Sequence, residues 1–219
     1  MALNINGTTG ISGVDGSVSA PAVTGTDSNT GITFPSADTI KFSTGGVERM
    51  SITNSGVSGI TVGITEADQY RVTSNFSMGT TAANITTNWE RVDNRFEKIG
   101  TGMSVDGNGR FTFPSAGIYL VSCWWHGQRA TGATYSGTVY MHGTSNNFSS
   151  SSLMMDSFVG SGTNNEVNNA YMSCMFDVQD TSTHKCFFGY YDYHHGSMVF
   201  YGNTDTNYNA FTFIKLGDT

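Results

Sequence analysis

The stretch GRFTFPSAGIYLVSCWWH, residues 109–126, decides how this chain folds. Asn108-Gly109 ahead of RFTF is the strongest hairpin signal in the sequence, and it suggests a type I′ turn, whose two central residues need positive φ. Pro114 then interrupts the apolar run; a proline cannot donate to a strand ladder, so it sits at a strand boundary. From Gly117 onward the residues are apolar for long enough to form a deeply buried strand. Within it Trp124 and Trp125 must point to opposite faces. One is expected to fill a sandwich and the other to reach a subunit interface.

The pattern continues on both sides. QYRVTSNFSM, TYSGTVYMHG, NAYMSCMFDVQ, KCFFGYYDY, SMVFYG and NAFTFIKLG are strand-length apolar or alternating runs separated by turn signals such as GNTDTN. Many short strands with regular turns predict a sandwich or jelly roll over residues 64–219. NWERVDNRFEKI could follow helical spacing through Trp89, Val92, Phe96 and Ile99, but its isolation favours strand. Composition agrees. Among 219 residues charged side chains are 12% and glycines number 27, a mixture suited to strands and tight turns rather than long helices.

Residues 1–63 follow a different grammar. Their apolar residues come as dyads, Ile32/Phe34, Ile40/Phe42, Met50/Ile52 and Ile60/Val62, eight to ten residues apart and separated by turn tracts. TFPSA occurs both here, at 33–37, and at 112–116. Each copy ends a strand on phenylalanine, turns at proline and restarts, but the continuations differ, so this is one corner used twice and not a duplicated domain. Two apolar side chains per dyad cannot offset the backbone entropy of the residues they order. The expectation is an extended, intertwined β stalk in which identical copies, most simply three, share the dyads.

Several function classes are disfavoured. Ten Lys and Arg against 17 Asp and Glu leave a net charge of −7 without a basic cluster, which argues against nucleic-acid binding. The start MALNINGTTG resembles no secretory leader, and no apolar run reaches the length of a membrane span. Cys123, Cys174 and Cys186 lack CxxC spacing and read as buried thiols, with a Cys174–Cys186 bridge as the alternative. No serine sits in a G-x-S-x-G elbow. DGNG at 106–109 lacks the further carboxylates of a calcium loop. The expectation is a non-enzymatic protein with no cofactor and no catalytic or metal-binding residue. Tyr191, Asp192, Tyr193, His194 and His195 are candidates for surface or glycan contact, since tyrosine faces, a carboxylate and imidazoles suit sugars. The polar tract 142–152 is a second candidate, as a long surface loop. Phe111, Phe113, Tyr119, Trp124, Trp125, Phe211 and Phe213 are candidates for the core or a trimer interface.

The run GTGMSVDGNGRFTFPSAGIYLVSCWWH is similar to the central segment of the complement-globular-head and tumour-necrosis-factor-like jelly-roll families. Their pattern G-x-F-T-x-P-x-x-G-x-Y falls here on Gly109, Phe111, Thr112, Pro114, Gly117 and Tyr119. NAFTFIKLG resembles the closing strand of those families, and DVQDTSTHKCFFG their penultimate hairpin. The resemblance implies a jelly-roll sandwich of about ten strands, a homotrimer associating through an aromatic-lined face, and binding without catalysis; the collagen-like Gly-X-Y stalk of the complement members is missing. NTGITFPSADTIKFSTGGVERMSITNSG, and NWERVD followed by IGTGM and FTFPSAGIYL, resemble fibre and appendage proteins of marine tailed bacteriophages. That resemblance implies a virion surface protein assembled in a bacterial cytoplasm, with other virion proteins as partners through residues 1–63. A tail fibre or spike contacting a host glycan or receptor, a capsid decoration or head-fibre protein, and a bacterial lectin are the readings it leaves open.

Overall fold

A computed structural model describes residues 4–6, 10–12, 15–60, 63–79, 81–94, 96–129, 135–161, 165–194 and 198–219. The protein is all-β, with no helix among the described residues. It divides into two compact units, Met1–Gly63 and Ile64–Thr219.

In the N-terminal unit the dyads become an antiparallel meander: Val23–Thr24, Gly31–Thr33, Ile40–Thr44, Val47–Thr53 and Gly56–Ser58, each paired with the next. Sequence neighbours pair because the connections are tight. Thr44 sits opposite Val47, and Gly45 and Gly46 between them have φ of 59° and 72°, the positive pair of a type I′ turn. The ladders therefore close inside one chain, where the sequence had suggested strands shared between copies. The poverty of burial is nonetheless real. The unit's buried side chains, among the described residues, are Thr33, Ser43 and Ser51, while every strongly apolar one is partly or fully exposed. Thr61 and Val62 of the fourth dyad lie outside the described residues.

The second unit is a two-sheet sandwich. Gly117–Arg129 is the spine of one sheet, with Val167–Val178 on one side and Ala210–Gly217 with Met198–Phe200 on the other. Ala67–Val72 and Trp89–Arg91 extend it. Tyr135–Thr144 and Lys185–His194 centre the other sheet, flanked by Ser152–Ser161 and Arg110–Thr112. Trp89–Arg91 and Lys98–Ile99 are strands, so the helical spacing of that window was coincidental. Phe111, Phe113, Tyr119, Trp125, Phe211 and Phe213 all lie in one buried aromatic core. Phe111, for example, meets Tyr70 and Trp89 edge-on with ring centroids 5.1 and 4.9 Å apart.

Three local readings change in the structure. The 106–109 hairpin forms, but Asn108 keeps a negative φ and only Gly109 is left-handed, at 72°. The Asp106 carboxylate accepts from the backbone N–H of both Asn108 and Arg110, at 2.9 Å each. That capture favours a type I turn closed by a glycine bulge over type I′. Next, Gln179–His184 does not join a hairpin: Val167–Val178 pairs in one sheet and Lys185–His194 in the other, so the connection crosses the sandwich. Finally, the two TFPSA corners have opposite uses. Phe34 is 41% exposed and Phe113 only 1%, because Phe113 packs between Tyr119 and Phe176 at 4.8 and 5.3 Å. The Tyr119 hydroxyl donates to the Ser115 carbonyl at 3.1 Å and staples the second corner.

The three cysteines are free thiols, Cys123 and Cys186 buried and Cys174 half-buried, with no Cys174–Cys186 bridge. Burial pushes the Cys123 thiol up to about 12 and raises the other two, so they remain protonated and serve as small apolar side chains.

Candidate interaction faces

Strict alternation along Gly117–Arg129 sends its odd-numbered residues into the sandwich and its even-numbered ones out. Trp125 is fully buried, whereas Trp124 is 41% exposed. Tyr171 sits directly opposite Trp124, and Met175 opposite Leu120, which also neighbours Ile214. Tyr171 and Met175 are each 59% exposed. Beside them His126 stacks on Tyr208 with centroids 5.5 Å apart and touches Tyr201 at the same separation. Its Nδ1 lies 2.6 Å from Asn169 Oδ1. The result is an aromatic and apolar stripe on the outward face of a sheet whose inward face is already filled, the arrangement that marks an association surface. Of the seven residues proposed for core or interface, Trp124 alone belongs to this stripe. Tyr171, Met175, Leu120 and His126 were not singled out from the sequence, although NAYMSCMFDVQ is apolar on both alternating sets, which signals burial on both faces.

The edge of this sheet is held by ion pairs. Buried Asp68 accepts from Arg91 Nε at 3.0 and 3.1 Å and from the Met103 N–H at 2.7 Å. Buried Arg71 bonds Glu90 at 2.8 Å and Asp93 at 2.7 Å. Its Nη1 also reaches Asn207, on the loop that carries Tyr208 to the stripe. These charges are satisfied by one another and read as framework.

The outward face of the second sheet carries another aromatic row. The Arg110 guanidinium lies over the Phe148 ring at 4.5 Å; Phe148 meets Phe187 at 5.6 Å; Phe187 stacks on His142 at 5.3 Å; and His142 meets Tyr140 at 5.0 Å. Phe148 reaches the row because the 142–152 loop is pinned. The Thr144 hydroxyl accepts from the N–H of Asn146 and Phe148 and donates to the Ser150 carbonyl, while Asn147 and Phe148 take φ of 52° and 64°. Below it opens a cleft of about 410 Å³ lined by Thr144, Ser150, Ser152, Met154, Asp177 and His184, among others.

Tyr191 is exposed and pairs with Thr138. Asp192, Tyr193 and His194 belong to strand Lys185–His194, but their side chains lie outside the described residues, as does His195 altogether. Among the described residues no three His, Cys, Asp or Glu side chains gather at metal-ligand spacing.

Desolvation lowers the His142 pKa, so folding favours the neutral imidazole over the charged one. In the unfolded chain it takes up a proton near its ordinary value of about 6.5. Stability from this group is therefore present above that value and lost as pH falls through it. The thermal midpoint should drop between about pH 7.5 and about pH 5, and His142→Asn should flatten part of that drop. Superimposable pH profiles for the two proteins would refute the assignment.

The fold these sheets define is a tumour-necrosis-factor-like jelly roll. Eiger TNF from S. frugiperda superimposes with a TM-score of 0.51 at 9% identity, covering 72% of this chain and 96% of that one. Murine APRIL at pH 5.0 gives a TM-score of 0.48 at 10% identity, covering 69% of this chain and 98% of that one. No family model and no curated protein matches the sequence.

Proposed function

We propose that this chain is a non-enzymatic, homotrimeric structural protein of a bacteriophage virion, a tail fibre or spike that touches the host surface. The observation that carries the trimer is the outward stripe of Trp124, Tyr171 and Met175, too apolar to be left facing water. The resemblance of residues 29–56 and 88–120 to phage appendage proteins supports the virion, and the N-terminal unit is the part that docks to other virion proteins. Host contact falls to the outer-sheet row from Tyr140 to Phe148, with Tyr191 beside it, since aromatic faces and imidazoles suit a glycan. Three such faces on one rigid body turn weak single contacts into firm attachment. No cofactor, nucleic acid or membrane insertion enters this reading.

Electron microscopy of phage particles labelled with an antibody to the second unit tests it. Label at the tail supports a fibre or spike. Label over the capsid makes the chain a decoration or head-fibre protein, and unlabelled particles overturn the virion assignment. On a glycan array the intact protein should bind and the double variant Tyr191→Ala, Tyr193→Ala should lose the signal; no signal from the intact protein would overturn the adhesive role.

A further inference from the structure

The two faces of the N-terminal meander are unequally complete. On one, the polar side chains satisfy each other: Lys41 pairs with Glu48 at 2.7 Å, Ser51 bonds Ser58 at 2.6 Å, and Ser43 donates to the Gly31 carbonyl. A Cβ placed on Gly31 would lie 2.9 Å from the Pro21 Cβ, so the short Gly16–Pro21 hairpin already lies over this face. The other face is a lattice of apolar side chains. Ile32, Phe42 and Met50 form one cross-strand row, and Ile40, Ile52 and Val57 form the next. Val23 extends the first row, opposite Ile32. Phe34, Ile40 and Ile52 floor a hollow there, rimmed by Asp38, Thr53 and Asn54. Nothing in the described part of this unit covers that lattice, and a single open sheet with an uncovered apolar face does not hold its fold in water.

We infer that the sister copies of this chain cover it, the apolar faces of the three meeting one another about their common axis. The inference rests on the homotrimer proposed above. Two features select a sister copy. The rows bear no charged side chain, so an apolar surface suits them best, and each copy supplies an identical one. The unit boundary falls at Gly63/Ile64, so copies associated through their second units hold their first units at high effective concentration. Contact is through side chains stacked between sheets, with each chain keeping its own ladders; no strand is exchanged.

Full-length chains carrying Ile52→Cys or, as the control on the opposite face, Lys41→Cys are treated with a short bis-maleimide. They are read on a denaturing gel, with native mass measured in parallel. Both carry the same native thiols, so the comparison isolates the new one. The expected result is covalent multimers from Ile52→Cys at several times the yield of Lys41→Cys. Trimers by native mass with equal, background linking from both would overturn face-to-face packing and leave the trimer standing. Single chains by native mass would overturn both.

Discussion

Trp125→Ala should destabilise the jelly roll by about 3–5 kcal/mol, the usual range for emptying a buried aromatic site. The side chain is fully buried and meets Phe200 at 5.3 Å and Phe211 at 5.2 Å, with Phe76 at 6.4 Å. Its indole N–H points to Cys123 Sγ at 3.2 Å. These rings bridge strands Met198–Phe200, Gly117–Arg129 and Ala210–Gly217, so a void there loosens the centre of one sheet rather than an edge. Against a typical net stability of 5–15 kcal/mol, the loss would leave a marginal domain. The urea midpoint, read by tryptophan fluorescence or circular dichroism, checks it. Trp125→Phe should recover more than half the loss; a midpoint unchanged in Trp125→Ala would show that the site is not packed as described.

The neighbouring residue should behave in the opposite way. Trp124→Asp leaves the core untouched, because Trp124 projects from the outward face between Tyr171 and Ala210. If that stripe is the trimer contact, a carboxylate at its centre must be desolvated without a partner. That costs more than ~2 kcal/mol at each contact, the scale of an interface hot spot. The expected result is retained β-sheet circular dichroism with collapse of the native mass from three chains to one. A trimer that survives Trp124→Asp would move the contact elsewhere. Loss of β signal together with mass would mean that the second unit cannot stand alone, and Trp124→Ala, which removes area without burying a charge, would then show the graded effect.

Much of this could be read from residues 109–126. Turn, proline corner and alternating strand are local matters, fixed by φ preferences, the missing proline N–H and the two-residue period of a strand. That run announced a jelly roll, and the alternation of Trp124 and Trp125 already said that one tryptophan would leave the core. The dyads likewise told of a unit without a core of its own. What the chain's order could not convey was which sheet each strand joins. Val167–Val178 and Lys185–His194 follow one another through a short turn like the arms of a hairpin, yet they part to different sheets. Each finds its partner some fifty residues upstream, and no local rule encodes that distance.

The turn types, too, were set by which partners take the turn's N–H groups: Asp106, within its own turn, captures two of them and displaces the turn that Asn108-Gly109 would otherwise make, while Gly45-Gly46, whose N–H groups go to Thr30 Oγ1 and the Asn29 carbonyl outside the turn, makes it. The candidate site follows the same division. Sequence alone determined that aromatic residues would be present in surplus, and the side of each strand on which they fall. Only the tertiary structure decided that Trp124, Tyr171 and His126 share one outward stripe, and that Phe148 crosses a loop to join His142 and Phe187. Side-chain direction is a property of one strand, whereas adjacency is a property of register between strands far apart in the chain, set by how the whole core packs.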